Sequence, residues 1–101
     1  MAEPMALLGM ARKAGRLVLG AAAVEQRLRR EGAVLLFITE DASPNVARQA
    51  KRWAEAAKVE FLTIPYTKEA FGYAMGRQVC AIAALTDKGF AAAYKKATEA
   101  G

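Results

Sequence analysis

Val34-Leu35-Leu36-Phe37-Ile38-Thr39-Glu40-Asp41-Ala42-Ser43-Pro44 is the stretch that decides the fold. Its first five residues are uniformly apolar, β-favouring and too few for a helix, which predicts a strand buried on both faces of a sheet. Thr39 to Ala42 then turn the chain, Ser43 is a good N-cap and Pro44 suits the first helical position. A helix is therefore expected to run to about residue 57, with Val46 and Trp53 on its inner face.

On the N-terminal side, Met5, Leu8 and Ala11 with Arg12 fall at helical spacing, Leu7 and Met10 widen the apolar face, and Gly15 is a plausible stop, giving a helix over 3–14. The short apolar run Leu17 to Leu19 leads to Gly20. A second, basic amphipathic helix over 21–31 follows, with Ala21, Val24 and Leu28 on one stripe and Gln26, Arg29 and Arg30 elsewhere, ended by Gly32. On the C-terminal side, Glu60 to Ile64 is a strand ending at Pro65, and Thr67 caps a short helix from Lys68 to Met75, closed by Gly76. Val79 to Leu85 is the last strand, and Asp87 to about Thr98 an Ala-rich closing helix. Strands alternating with helices imply an α/β fold, a three-layer α/β/α sandwich around a mixed sheet of about four strands. Length and an apolar share of 54% suit one domain spanning 1–101, without repeat or linker.

Charge is unevenly spread. Arg12, Lys13, Arg16, Arg27, Arg29 and Arg30 face only Glu25 between residues 12 and 30, so this window carries +5, the formal net charge of the whole chain. Gly20 places a helix N-terminus, with its free backbone N–H groups, among these cations, an arrangement that attracts phosphate. A pI near 9.7 favours an anionic partner. No apolar run reaches the roughly 18 residues of a membrane span, and no signal peptide opens the chain, so a cytoplasmic protein without a membrane partner is expected. Cys80 has no second cysteine to pair with and reads as a small buried hydrophobe.

Catalysis finds little support. The chain has no His, no paired Cys and no Gly-rich phosphate loop, so no cofactor, metal or nucleophile is expected. Glu40 and Asp41 follow a strand at the end where α/β sheets hold ligands, but acids before a helix start are equally explained by its dipole. Phe37, Trp53, Phe61, Phe71 and Phe90 fall on apolar stripes and are assigned to the core, whereas Tyr66 and Tyr73 flank the short helix and could face solvent. Lys95 and Lys96 suit the last turns of the closing helix.

Four strings occur in a telling order: ARKAGRLVLG at 11–20, FITEDASPN at 37–45, YTKEAFGYAMG at 66–76 and LTDKGF at 85–90. With them the chain resembles the ribosomal protein L-seven-Ae/L-thirty-e family, and among its bacterial members the YlxQ-like branch. The resemblance covers nearly the whole chain. It implies an RNA-binding, non-enzymatic domain whose kink-turn site is formed by the helix starting at Gly20 and by the loop before the last strand. Where the family's kink-turn binders carry Asn, Glu and Lys, this chain has Ala22, Ala23 and Gln26, and Arg77 and Gln78 replace much of the loop's apolar tip. Lys68 matches a family lysine near the RNA, and Lys13 and Arg16 stand upstream of the glycine as basic residues commonly do.

The expected function is recognition of a structured RNA, kink-turn-like or ribosomal, through shape and backbone. Gly20, Ala21, Ala22 and Ala23 would offer amides or close approach and Gln26 a polar contact. Lys13, Arg16, Arg29, Arg30, Lys68 and Arg77 would supply counter-charge, and Gln78 with Val79 the loop surface. The other reading, motivated by Ala22 and Ala23, is a protein-interaction module of the translation or transcription machinery that has lost kink-turn reading. A monomer is expected, with the ribosome or proteins of that machinery as further candidate partners.

Overall fold

Five helices and four strands alternate along residues 3–100, the part of the chain that the computed structural model describes. They are α1 (Pro4–Lys13), β1 (Leu17–Leu19), α2 (Ala21–Arg30), β2 (Leu35–Thr39), α3 (Pro44–Ala57), β3 (Glu60–Ile64), α4 (Lys68–Ala74), β4 (Ile82–Leu85) and α5 (Lys88–Ala100). The expected span 1–101 includes residues 1, 2 and 101, which lie outside the described residues. The sheet runs β1-β4-β2-β3, with β4 antiparallel to both neighbours and β2 parallel to β3.

Strand alternation divides the core into two. Leu35 and Phe37 of β2, with Leu17, Leu19, Ala83 and Leu85, face α1, α4 and α5. Leu36 and Ile38, with Ile82 and Ala84, face α2 and α3, so the sheet is covered on both sides as the uniform apolar run of β2 requires. The expected α/β/α sandwich with a mixed four-stranded sheet is the fold observed.

Several local expectations change. The run Leu17 to Leu19 is itself a strand, its ladder lengthened by Gly20 N–H donating to the Ile82 carbonyl and Thr86 N–H donating to the Arg16 carbonyl, each at 2.9 Å. Thr39 does not begin the turn but ends β2, buried opposite Ile64. Ala21 is exposed, so the inner stripe of α2 starts at Val24. The last strand begins at Ile82 rather than Val79: the Cys80 N–H is committed to the Lys68 carbonyl at 2.9 Å, which ties this segment to α4 instead of the ladder. Asp87 is a cap rather than a helical residue, its Oδ1 accepting from Phe90 N–H at 2.9 Å. Because α5 runs on to Ala100, Lys95 is not a terminal cation and instead meets Glu60 at 2.7 Å.

Phe37 and Phe71 are fully buried, as expected, whereas Trp53, Phe61 and Phe90 are only partly buried at the edges of the two clusters. Phe37 meets Phe71 edge-on at 5.6 Å between centroids and stacks on Tyr94 at 6.3 Å. The Tyr94 hydroxyl is buried without a hydrogen-bond partner among the described residues. Burial, with Tyr66 nearby, pushes its pKa up to about 12. An unfolded chain releases that proton near pH 10, before the folded one, so stability drains away as pH rises from about 10 toward about 12. Urea unfolding should show Tyr94→Phe at least as stable as the parent at pH 7 and losing less of that stability by about pH 11. Equal losses in both proteins would assign the alkaline decline elsewhere.

Candidate nucleic-acid interface

Because β1, β2 and β3 point the same way, their C-terminal ends bring the starts of α2, α3 and α4 to one edge of the sheet, where β4 begins. Ligands of open α/β sheets gather at such an edge. Two of these helix starts are capped by side chains. Ser43 Oγ accepts from Val46 N–H at 3.2 Å and Thr67 Oγ1 from Ala70 N–H at 3.0 Å. Asp41 Oδ1 accepts from Lys68 N–H at 2.8 Å. The Asp41 carboxyl lies below its ordinary range: desolvation pushes it up, but the Lys68 amide, the Thr39 side chain and its own amide, with the Lys68 charge last, together outweigh that. Asp41 thus serves as a cap for α4.

The start of α2 differs. Gly20 takes φ +91, outside the reach of ordinary side chains, and supplies no cap; the first turn contains no acid. The amides of Ala21, Ala22 and Ala23 precede the first intrahelical hydrogen bond, from Val24 N–H to the Gly20 carbonyl at 3.0 Å, and have no helical acceptor. Arg77 lies against this turn, one guanidinium nitrogen 3.4 Å from where a Cβ on Gly20 would be. Farther along α2, Ala22, Ala23, Gln26 and Arg29 line one shallow depression, with Glu25 holding Arg29 at 3.1 Å.

The loop before β4 is fixed by close packing on α4. A Cβ on Gly72 would meet the Cys80 nitrogen and the Val79 Cα at 2.9 Å and the Gln78 carbonyl oxygen at 3.0 Å. Arg77 N–H also donates to the Gly72 carbonyl at 2.7 Å. Held this way, Arg77, Gln78 and Val79 are exposed, Val79 at 54%, and Cys80 is buried beneath them. Burial raises the Cys80 thiol pKa despite its contact with the Ile82 carbonyl and the charge of Arg77.

The structure therefore brings together Gly20, Ala21, Ala22, Ala23, Arg77, Gln78 and Val79, with Lys68 at the foot of the same loop. Gln26 continues this surface along α2. Other residues of the basic window stand apart. Arg16 is at the opposite end of β1, its Nε 4.0 Å from Asp87, and Lys13 ends α1 three residues before it. Arg30 and Arg29 lie in the last turn of α2, roughly 14 Å from Gly20 at the helical rise, where cations also complement the helix dipole, although Arg29 reaches back to the depression it shares with Ala22, Ala23 and Gln26. Sequence reasoning missed two participants. Gly72, the seat of the loop, is a glycine inside a helix, where the missing side chain is the sequence signal for a close backbone approach. Arg12, counted only as charge, lies with its terminal nitrogens 3.6 and 3.7 Å from the Cβ position of Gly76.

Residues 3–94 match the model of the ribosomal protein L7Ae/L30e/S12e/Gadd45 family. The chain is 34% identical over 89 residues to the RNA-binding protein YlxQ of Bacillus subtilis, covering 84% of each chain. In fold it is similar to a protein of unknown function from Bacillus halodurans, with a TM-score of 0.86, 18% identity and coverage of 98% of this chain and 99% of that one. It is also similar to the Giardia lamblia 15.5kD RNA binding protein, with a TM-score of 0.75, 18% identity and coverage of 94% and 81%.

The packing at Gly72 has a direct consequence. Backbone atoms under 3.0 Å from a new Cβ cannot yield as a flexible side chain would, so Gly72→Ala should displace the 77–80 loop and cost about 1–3 kcal/mol in urea unfolding. A variant as stable as the parent would show that the loop is not seated on this glycine.

Proposed function

This chain belongs to the ribosomal protein L7Ae/L30e/S12e/Gadd45 family, and from that membership we propose that it is a non-enzymatic RNA-binding protein that recognises a structured, kink-turn-like or ribosomal RNA. The observation that carries this reading is the uncapped start of α2 at Gly20 with Arg77 laid against it. Free amides and a guanidinium converge there, a suitable pairing for phosphate oxygens. The RNA partner is supported by the similarity to an RNA-binding protein of Bacillus subtilis.

Binding on this proposal depends on shape and backbone more than on base reading, because Ala22 and Ala23 have no polar side-chain atoms to hydrogen-bond a base edge. Gln26 offers an amide in place of a charge. Exposed Val79 supplies the apolar surface on which an unstacked base can rest.

Titration of a labelled kink-turn RNA, an unkinked duplex of equal length and a single strand, each at two salt concentrations, separates recognition from charge. The kink-turn should bind most tightly and keep its advantage at the higher salt, and Gln26→Lys should tighten that binding severalfold by adding a phosphate contact. Equal, salt-sensitive binding to all three RNAs would contradict the proposal and favour a protein-interaction module.

A further inference from the structure

Among the six cations in the 12–30 window, Arg12 lies beside the start of the loop that precedes β4. Its guanidinium lies beside Gly76, whose φ of +77 turns the chain out of α4, and the next residue, Arg77, extends in turn to Gly20. The loop thus has one guanidinium at its start, contributed by α1, and another against α2. None of the ion pairs among the described residues includes Arg12 or Arg77, whereas Arg16, Arg29 and Lys95 all have carboxylate partners. Both arginines are exposed.

We infer that Arg12 and Arg77 form a two-pronged clamp on the RNA phosphodiester backbone, extending the interface from α2 across the loop onto α1. This rests on the RNA-binding reading above and adds to it a residue on α1 and a division of labour. A guanidinium laid beside a turn fixed by its own backbone hydrogen bonds has less free volume to sample than an unconfined surface side chain, and so less freedom to lose on binding. Its planar fork can give two N–H groups to one phosphate, which a lysine ammonium cannot match. Arg77 would hold the phosphate nearest the α2 amides, and Arg12 a phosphate farther along the strand that crosses the loop.

The test uses the full chain and a kink-turn RNA in salt titrations of the parent, Arg12→Ala, Arg12→Lys and Lys96→Ala, the last a charge-matched control on α5. Arg12→Ala should weaken binding roughly tenfold at moderate salt and lower the log-log salt slope by about 0.7–0.9, the loss of one phosphate contact. Arg12→Lys should recover the slope but only part of the affinity. If the parent binds and Arg12→Ala behaves like Lys96→Ala, the clamp is refuted while the RNA-binding reading stands. A parent that binds no RNA would overturn both.

Discussion

The hydrogen bond from Gly20 N–H to the Ile82 carbonyl, 2.9 Å long, joins the two halves of the candidate interface. Gly20 ends the strand that delivers α2, and Ile82 begins the strand that receives the loop from α4. One backbone contact therefore fixes where the helix start stands relative to the loop. Its geometry is inherited from the sheet: β1 pairs with β4 through only three residues a side, and β4 is held between β1 and β2. The same register buries Leu19 and Ala83 side by side against α1, α4 and α5. Packing, rather than any contact within the site, thus sets the spacing of the residues that would meet a ligand.

Magnitudes indicate how the edge could discriminate. A helix dipole acting on an anion contributes about 0.3–1 kcal/mol at an exposed site. A hydrogen bond to a charged group contributes about 1.5–3 kcal/mol. The dipole of α2 alone is too weak to select a ligand, and α3 and α4 have committed part of their N-terminal capacity to Ser43, Thr67 and Asp41. Arginine laid against an uncapped turn combines the two effects. The cations toward the far end of α2 have neighbours of their own: Arg29 pairs with Glu25, and Arg27 folds back within 3.8 Å of the Cβ position of Gly32.

Much of this was legible from local signals. The apolar run 34–38, the cap at Ser43 and the proline at 44 act within a few residues, and β2 and α3 form within a residue of their expected bounds. The strand β1 was not legible, because three residues contain no period and their strand character comes from β4, far along the chain. The apolar run from Val79 to Leu85 concealed a break, since one apolar residue is exposed and the next buried outside the ladder. At the site, Gly20 was legible as a helix start, and charge located the basic window. Charge could not divide that window: Arg12 and Arg16 are four residues apart, yet one reaches Gly76 and the other Asp87. That division is made by tertiary packing, which places the loop against Gly72.

The most direct test of this account is the map of backbone amide shifts when a kink-turn RNA is titrated into isotopically labelled protein. The account predicts that the largest changes fall on Gly20 to Ala23, on Lys68 and on 76–80, with α5 and the last turn of α2 almost unmoved. Changes spread evenly over the basic surface, or concentrated at Arg29, Arg30 and α5, would contradict it.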